Sequence, residues 1–158
     1  SDGMRLLAVA SGCPKAAVVP DGVRTIEACA FKGRKITSIV LPDSLRTIEK
    51  EAFSESDLVS VSLPEGVKTI KESAFSRCEK LTSVSFPQTL KKVGDYGFSG
   101  CDRLKSITVL GKDTEIAPDM FRRYKNPAEV VVRGMPGSGA EKFARANQFT
   151  FQPIVEEP

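Results

Sequence analysis

The sequence predicts a solenoid: one column of stacked coils built mainly from short parallel strands. Three observations predict it. A segment recurs at a fixed period, each copy alternates apolar and polar residues before a proline, and the C-terminal stretch abandons the repeat. The copies start at Pro20, Pro42, Pro64 and Pro87, spaced 22, 22 and 23 residues apart. A worn fifth copy keeps Ile116, Phe121, Val130 and Val132 but has Leu110 where the proline should stand. A fixed period of this length marks coils that cannot bury their apolar faces alone and do so by stacking. The chain of 158 residues reads as one repeat domain. It has a truncated first coil over 1–19, about five coils over 20–132 and a cap over 133–158.

Taken in order, Met4 to Val9 and Ala16 to Val19 read as the truncated coil. The sequence leaves open whether that end continues or is covered by a strand over Leu6–Val9. Within each full coil, a segment such as Leu81-Thr82-Ser83-Val84-Ser85-Phe86 alternates at period two, which predicts a strand with Val84 and Phe86 inward and the serines outward. In-register parallel strands are expected at Ile36–Leu41, Leu58–Leu63, Leu81–Phe86 and Leu104–Val109. Proline cannot donate to a ladder, so Pro42, Pro64 and Pro87 mark the turn after each strand. The second half of a coil, as in Val67 to Cys78, reads as an extended piece followed by one helical turn that packs Ala74 and Phe75 inward. Phe31, Phe53, Phe75, Phe98 and Phe121 should stack as an aromatic ladder. Each is worth about 1.5–3 kcal/mol of transfer free energy on burial. Phe121, in the worn copy, is expected to contribute least. Val61, Leu63, Ile70, Val84, Phe86 and Val93 join the same core.

The cap follows from local signals. Ser138 with Glu141 three residues later is a capping box opening a helix, with Ala140, Phe143, Ala144 and Asn147 on helical spacing. Phe149 and Phe151 alternate as a final strand. Such a unit covers apolar surface and unpaired strand edge at the end of the column.

Composition bounds the function. The chain is 41% hydrophobic with net charge +3, mild for a nucleic-acid binder, and no apolar run approaches a membrane span. It contains no histidine and no tryptophan. The commonest general base and metal ligand is therefore missing, and no paired-carboxylate, phosphate-loop or nucleophile-elbow motif replaces it. The glycines between Gly134 and Gly139 precede a helix and lack the Lys-Ser/Thr of a phosphate loop. No enzymatic activity, cofactor or metal is expected. Of the four cysteines, Cys78 and Cys101 occupy one repeat position a coil apart and read as stacked buried thiols, while Cys13 and Cys29 share no register.

The pattern Pro-x-x-Val-x-x-Ile-x-x-x-Ala-Phe-x-x-Cys-x-x-Leu-x-x-Val-x-Leu, running from about Val19 to Val132, resembles the BspA-type leucine-rich repeat of bacterial surface proteins, also abundant in some protozoan parasites. The stretch from Gly134 to Phe151 resembles that family's C-terminal cap. One departure is that no asparagine ladder follows the strand. The resemblance implies a right-handed leucine-rich-repeat solenoid. It also implies a secreted or surface-attached bacterial protein used for adhesion or protein–protein interaction. A structural spacer, or an accessory or inhibitory subunit docking on an enzyme, remain the alternatives.

Two exposed columns are candidates for binding. The outward strand positions give Ser38, Ser60, Ser83, Ser106 and Glu129, beside Val40, Ser62, Ser85, Thr108 and Val131. The face formed by Ser60, Ser62, Ser83, Ser85, Ser106 and Thr108 is the one on which the family would be expected to hold a partner. The scarcity of large aromatic residues favours a protein partner, such as a host matrix or cell-surface protein, over a stacked carbohydrate. The second column is basic: Arg24, Arg46, Lys68 and Lys91, offset in part by Glu27 and Glu49, and ending at Thr114. An anionic partner such as a sulfated glycan is the alternative it offers.

Overall fold

A computed structural model describes residues 4–6, 12, 14–122 and 129–155. Each coil runs along three sides of the column and is bonded to its neighbours on each. On the first side lie β2 (Ala16–Val18), β4 (Ser38–Val40), β6 (Ser60–Ser62), β8 (Ser83–Phe86), β10 (Ser106–Val109), β12 (Val131–Gly134) and β13 (Thr150–Pro153). On the second lie β1 (Met4–Leu6), β3 (Val23–Ile26), β5 (Thr47–Ile48), β7 (Thr69–Ile70), β9 (Lys92–Val93) and β11 (Glu115–Ile116). The second side is one six-stranded sheet in the order β1-β3-β5-β7-β9-β11. All strand pairs are parallel. The fold is thus a parallel β-solenoid of about six turns. The additional turn is the N-terminal rung, because Met4–Leu6 pairs with Val23–Ile26. The expected strand over Leu6–Val9 lies outside the described residues apart from Leu6.

The third side corrects the expected helical turn. Its amides alternate in direction. Ala52, Ser54 and Ser56 N–H bond within the coil to Glu49, Glu51 and Phe53 at 3.1–3.2 Å. Glu51, Phe53 and Glu55 N–H instead reach the next coil, to Glu72 (3.2 Å), Ala74 (2.8 Å) and Ser76 (2.8 Å). A helix would keep all of these bonds internal; here half of them stack coils. The alternation requires left-handed backbone at two points per coil. These are Cys29, Glu51, Ser73 and Tyr96 (φ 54–60°) and then Gly33, Glu55, Arg77 and Gly100 (φ 55–76°).

The first side is one five-stranded sheet, β13-β12-β10-β8-β6, plus a separate pair, β2-β4. The expected continuous ladder through Ile36–Leu41 is therefore interrupted between β4 and β6. One bond survives the gap, Val59 N–H to Thr37 O at 3.1 Å. The neighbouring residues show what is missing. Thr37 and Thr82 each add a hydroxyl bond to the preceding coil, to Lys15 O and Val59 O, which Val59 cannot add to Thr37.

The core lies between these sides. All eight expected interior residues around the central coils are buried: Val61, Leu63, Ile70, Phe75, Val84, Phe86, Val93 and Phe98. Phe31, Phe53, Phe75 and Phe98 stack nearly parallel, with centroids 5.0, 5.0 and 5.1 Å apart. Phe121 is not peripheral, as the worn repeat suggested. It meets Phe98 at 6.0 Å, Phe143 at 6.0 Å and Phe149 edge-on at 5.5 Å, so it joins the column to the cap.

The cap contains α1 (Gly139–Ala146), whose N-cap Ser138 accepts from Glu141 N–H. The reciprocal bond is displaced by one residue, because Glu141 Oε2 accepts from Gly137 N–H at 2.7 Å. After the helix, buried Phe149 leads into β13, which pairs with β12 through Val131–Gly134.

Candidate interaction surfaces

The serine face is built by register. Ser60, Ser83 and Ser106 lie opposite one another, as do Ser62, Ser85 and Thr108, on either side of buried Val61, Val84 and Ile107. Ser60 and Ser62 are exposed and the other four half-buried by their neighbours. The columns do not continue through Glu129 and Val131 as the sequence suggested. Val131 follows Ser106 and Arg133 follows Thr108, so the face ends in a cation bonded to Gln152 Oε1 at 2.9 Å. The last coil is longer than the four before it, which slides its strand two positions along.

Several hydroxyls elsewhere are committed to the fold. Ser44 Oγ accepts from Gly22 N–H (3.0 Å) and donates to Val23 O (2.8 Å); Thr89 Oγ1 does the same for Gly66 N–H (2.8 Å) and Val67 O (3.1 Å). Ser54 bonds Ser76 at 2.9 Å, and buried Thr114 bonds Leu90 O at 2.9 Å. Among the described residues, the six hydroxyls of the serine face bond to no atom of the chain. They remain available to water or a ligand as both donors and acceptors.

The basic column is equally regular. Arg46, Lys68 and Lys91 each donate their N–H to the preceding member's carbonyl at 2.8–2.9 Å. The expected offset by Glu27 and Glu49 does not occur, because those carboxylates pair with Arg5 and Lys71 a coil away. Arg24, Lys68 and Lys91 have no ion pair among the described residues. Arg46, by contrast, is engaged: its Nη1 donates to Asp43 O (2.7 Å) and Leu45 O (2.9 Å) and lies over Gly66. Several other charges are paired between coils, including Lys50–Glu72 (3.3 Å) and Lys80–Asp57 (2.8 Å). Lys32 holds the Glu51 carboxyl below its ordinary range, and Lys80 does the same for Asp57.

The described thiols are free. Cys78 Sγ and Cys101 Sγ donate to Phe53 O and Phe75 O, each at 3.1 Å. Burial pushes the Cys101 thiol well up, which keeps it protonated. Cys13 lies outside the described residues. No group of three or more His, Cys, Asp or Glu that could hold a metal occurs among the described residues. A hollow of about 820 Å³ lies over the six-stranded side, with walls including Ile70, Val93, Ile116 and Pro118.

The model of the BspA type leucine rich repeat region matches residues 12–127 in six copies. The chain belongs to this family. Members are generally protein-interaction or surface modules. The BspA-type chain is similar to solved bacterial structures. The leucine-rich repeat protein of T. pallidum is 30% identical with a TM-score of 0.65, covering 75% of this chain and 57% of that one. The pneumococcal vaccine antigen PcpA is 19% identical with a TM-score of 0.75, covering 98% of this chain and 44% of that one. A leucine-rich repeat protein from Bacteroides ovatus is 23% identical with a TM-score of 0.56, covering 85% and 44%. The last two likenesses concern the fold alone. The chain spans between 44% and 57% of the length of these structures. No curated protein matches it. No helix of the described residues is long and apolar enough to cross a membrane.

Proposed function

We propose that this chain is a non-enzymatic adhesion or protein–protein interaction module of a secreted or cell-surface bacterial protein. In this reading 1–158 act as one repeat domain. The serine face formed by Ser60, Ser62, Ser83, Ser85, Ser106 and Thr108 contacts the partner, a host matrix or cell-surface protein. The observation that carries the reading is that Ser44, Ser54, Ser76, Thr89 and Thr114 are bonded within the chain, whereas none of the six hydroxyls of this face is. A face held by backbone ladders on a rigid column offers many polar contacts with little ordering cost at binding. Family membership supports the surface location.

The test is Ser62→Glu with Ser85→Glu, which places charge on side chains that point to solvent. The melting temperature should hold while binding to matrix proteins or cells is lost. The matched control is Lys68→Glu with Lys91→Glu. Arg46 is unsuitable because its guanidinium is bonded to two carbonyls. Loss of binding in the lysine variant alone would identify an anionic partner such as a sulfated glycan. If neither variant matters and the wild type adheres to nothing tested, the module is a spacer; if the wild type adheres and neither variant changes it, the serine face is not the contact.

A further inference from the structure

The six-stranded side stops before the other side does. β11 pairs with β9 alone, while β12 and β13 carry the first side two strands beyond β10. In every interior rung the aliphatic carbonyl accepts an N–H from the next coil. Ile26 accepts from Glu49, Ile48 from Lys71 and Ile70 from Gly94, each at 2.9 Å, and Val93 accepts from Ala117 at 3.1 Å. At Ile116 the series ends: among the described residues, no backbone N–H reaches its carbonyl. The Ile116 side chain is only half-buried, whereas Ile26, Ile48, Ile70 and Val93 are fully buried. Gly139, opening α1, packs against the Thr114 carbonyl and donates to Lys112 O at 3.3 Å. The helix therefore covers the first half of the rung and leaves the second half open. A hollow of about 530 Å³ separates them, with Glu115, Ile116, Phe143 and Ala146 among its walls.

We infer that this open rung is a docking site for one extended strand of a partner polypeptide, carrying a basic residue followed by an aliphatic one. Register dictates the pair. Each rung sets a residue of the Thr25-Thr47-Thr69-Lys92-Glu115 column beside one of the Ile26-Ile48-Ile70-Val93-Ile116 column. An added aliphatic side chain covers Ile116, and the residue before it faces Glu115. Charge dictates the basic member. Glu27, Glu49 and Glu72 are each paired with a cation from another coil, Arg5, Lys71 and Lys50. Glu115 is exposed and has no ion pair among the described residues. A lone strand needs only one rung of space, about 4.8 Å. The main-chain bond to Ile116 O sets the register of the added strand, and the hollow supplies side-chain selection. This site is separate from the serine face and does not rest on its role.

The probe is a synthetic peptide with the sequence of residues 91–95, which contains the Lys92-Val93 rung and leaves out the residues that would meet α1. It is titrated into the isotopically labelled chain and followed by amide chemical shifts. Saturable changes should appear at Ile116, Ala117 and α1, and should persist in the Ser62→Glu, Ser85→Glu variant. Replacing Gly94 of the peptide by sarcosine removes the N–H that would reach Ile116 O and leaves the protein untouched. Binding should weaken about tenfold, the equivalent of one lost hydrogen bond with its acceptor left bare. Glu115→Lys in the protein should weaken binding, and a peptide with Lys92→Glu should restore it. The inference is overturned if no shift appears at these residues at millimolar peptide, or if the sarcosine peptide binds equally well. It is also overturned if the protein alone self-associates in sedimentation and Glu115→Lys abolishes that, because the occupant is then a second copy.

Discussion

Truncating Phe75 to alanine tests the column at its centre. The ring is fully buried and lies flat between Phe53 and Phe98, with centroids 5.0 and 5.1 Å away. Loss of a buried Phe costs about 3–5 kcal/mol, and each stacked pair adds about 0.5–1.5 kcal/mol beyond its area. The upper part of the first range applies here, because the site cannot collapse: Phe53 N–H is tied to Ala74 O and Phe75 N–H to Gly97 O, both at 2.8 Å. Urea unfolding followed by circular dichroism gives the loss from the midpoint and slope. Phe121→Ala should behave differently in kind, although not by being mild. Its ring contacts Phe98, Phe143 and Phe149, so the cap should loosen before the column does. Hydrogen exchange should then rise first at Phe149 and Thr150, whose N–H groups bond Ala144 O and Val130 O. A loss below about 1.5 kcal/mol for Phe75→Ala would mean that the site does collapse, contrary to the cavity cost expected of rigid neighbours. Unchanged exchange in the cap of Phe121→Ala would refute the coupling role of that ring.

Further outcomes follow from the same contacts. Val59→Thr should raise stability by about 0.5–1 kcal/mol, read from the urea midpoint, by supplying the missing hydroxyl bond to Thr37 O. Thr89→Ala should cost about 1–2 kcal/mol, because it removes one bond and strips Gly66 N–H of its acceptor. Glu27, Glu51 and Asp57 have carboxyl pKa values lowered in the folded state, chiefly by side-chain bonds to Arg5, Lys32 and Lys80. Their stabilisation is present above the ordinary carboxylate range and is lost as pH falls through the lowered values. Thermal melts should therefore drop below about pH 4, modestly because these pairs are exposed. Asp57→Asn should flatten that dependence.

The sequence showed the parts of this fold that repeat by chemical type. Proline spacing, the alternation around Val61 and Val84, and the Phe column each recur, and the structure places them as the period requires. The third side was less legible because its geometry depends on backbone sign. Glu55 and Arg77 adopt the left-handed φ that only Gly33 and Gly100 mark in their column, and no glycine marks the column of Cys29, Glu51, Ser73 and Tyr96. A two-coil alternation was present but easy to pass over: Gly22-Val23, Ser44-Leu45, Gly66-Val67, Thr89-Leu90. Its meaning appears only in three dimensions, where each hydroxyl satisfies the amide of the preceding glycine turn. The fifth coil was misaligned because its extra length moved the strand past Glu129.

The candidate surfaces were legible as columns but not as chemistry. A column of Arg and Lys looks uniform in sequence, yet Arg46 is spent on two carbonyls while Lys68 and Lys91 carry uncompensated charge. A column of serines and threonines is equally ambiguous, since Thr82 and Thr89 are structural while Ser83 and Ser85, close in the chain, are free. The distinction comes from which way each side chain leaves its strand and whether a carbonyl of the adjacent coil lies within reach. Repetition magnifies that distinction. Because successive coils superpose, two free hydroxyls per strand become a lattice of free hydroxyls, and one missing rung becomes an open edge at Ile116. The first arrangement suits many weak contacts spread over a face, and the second suits one short strand held at a point.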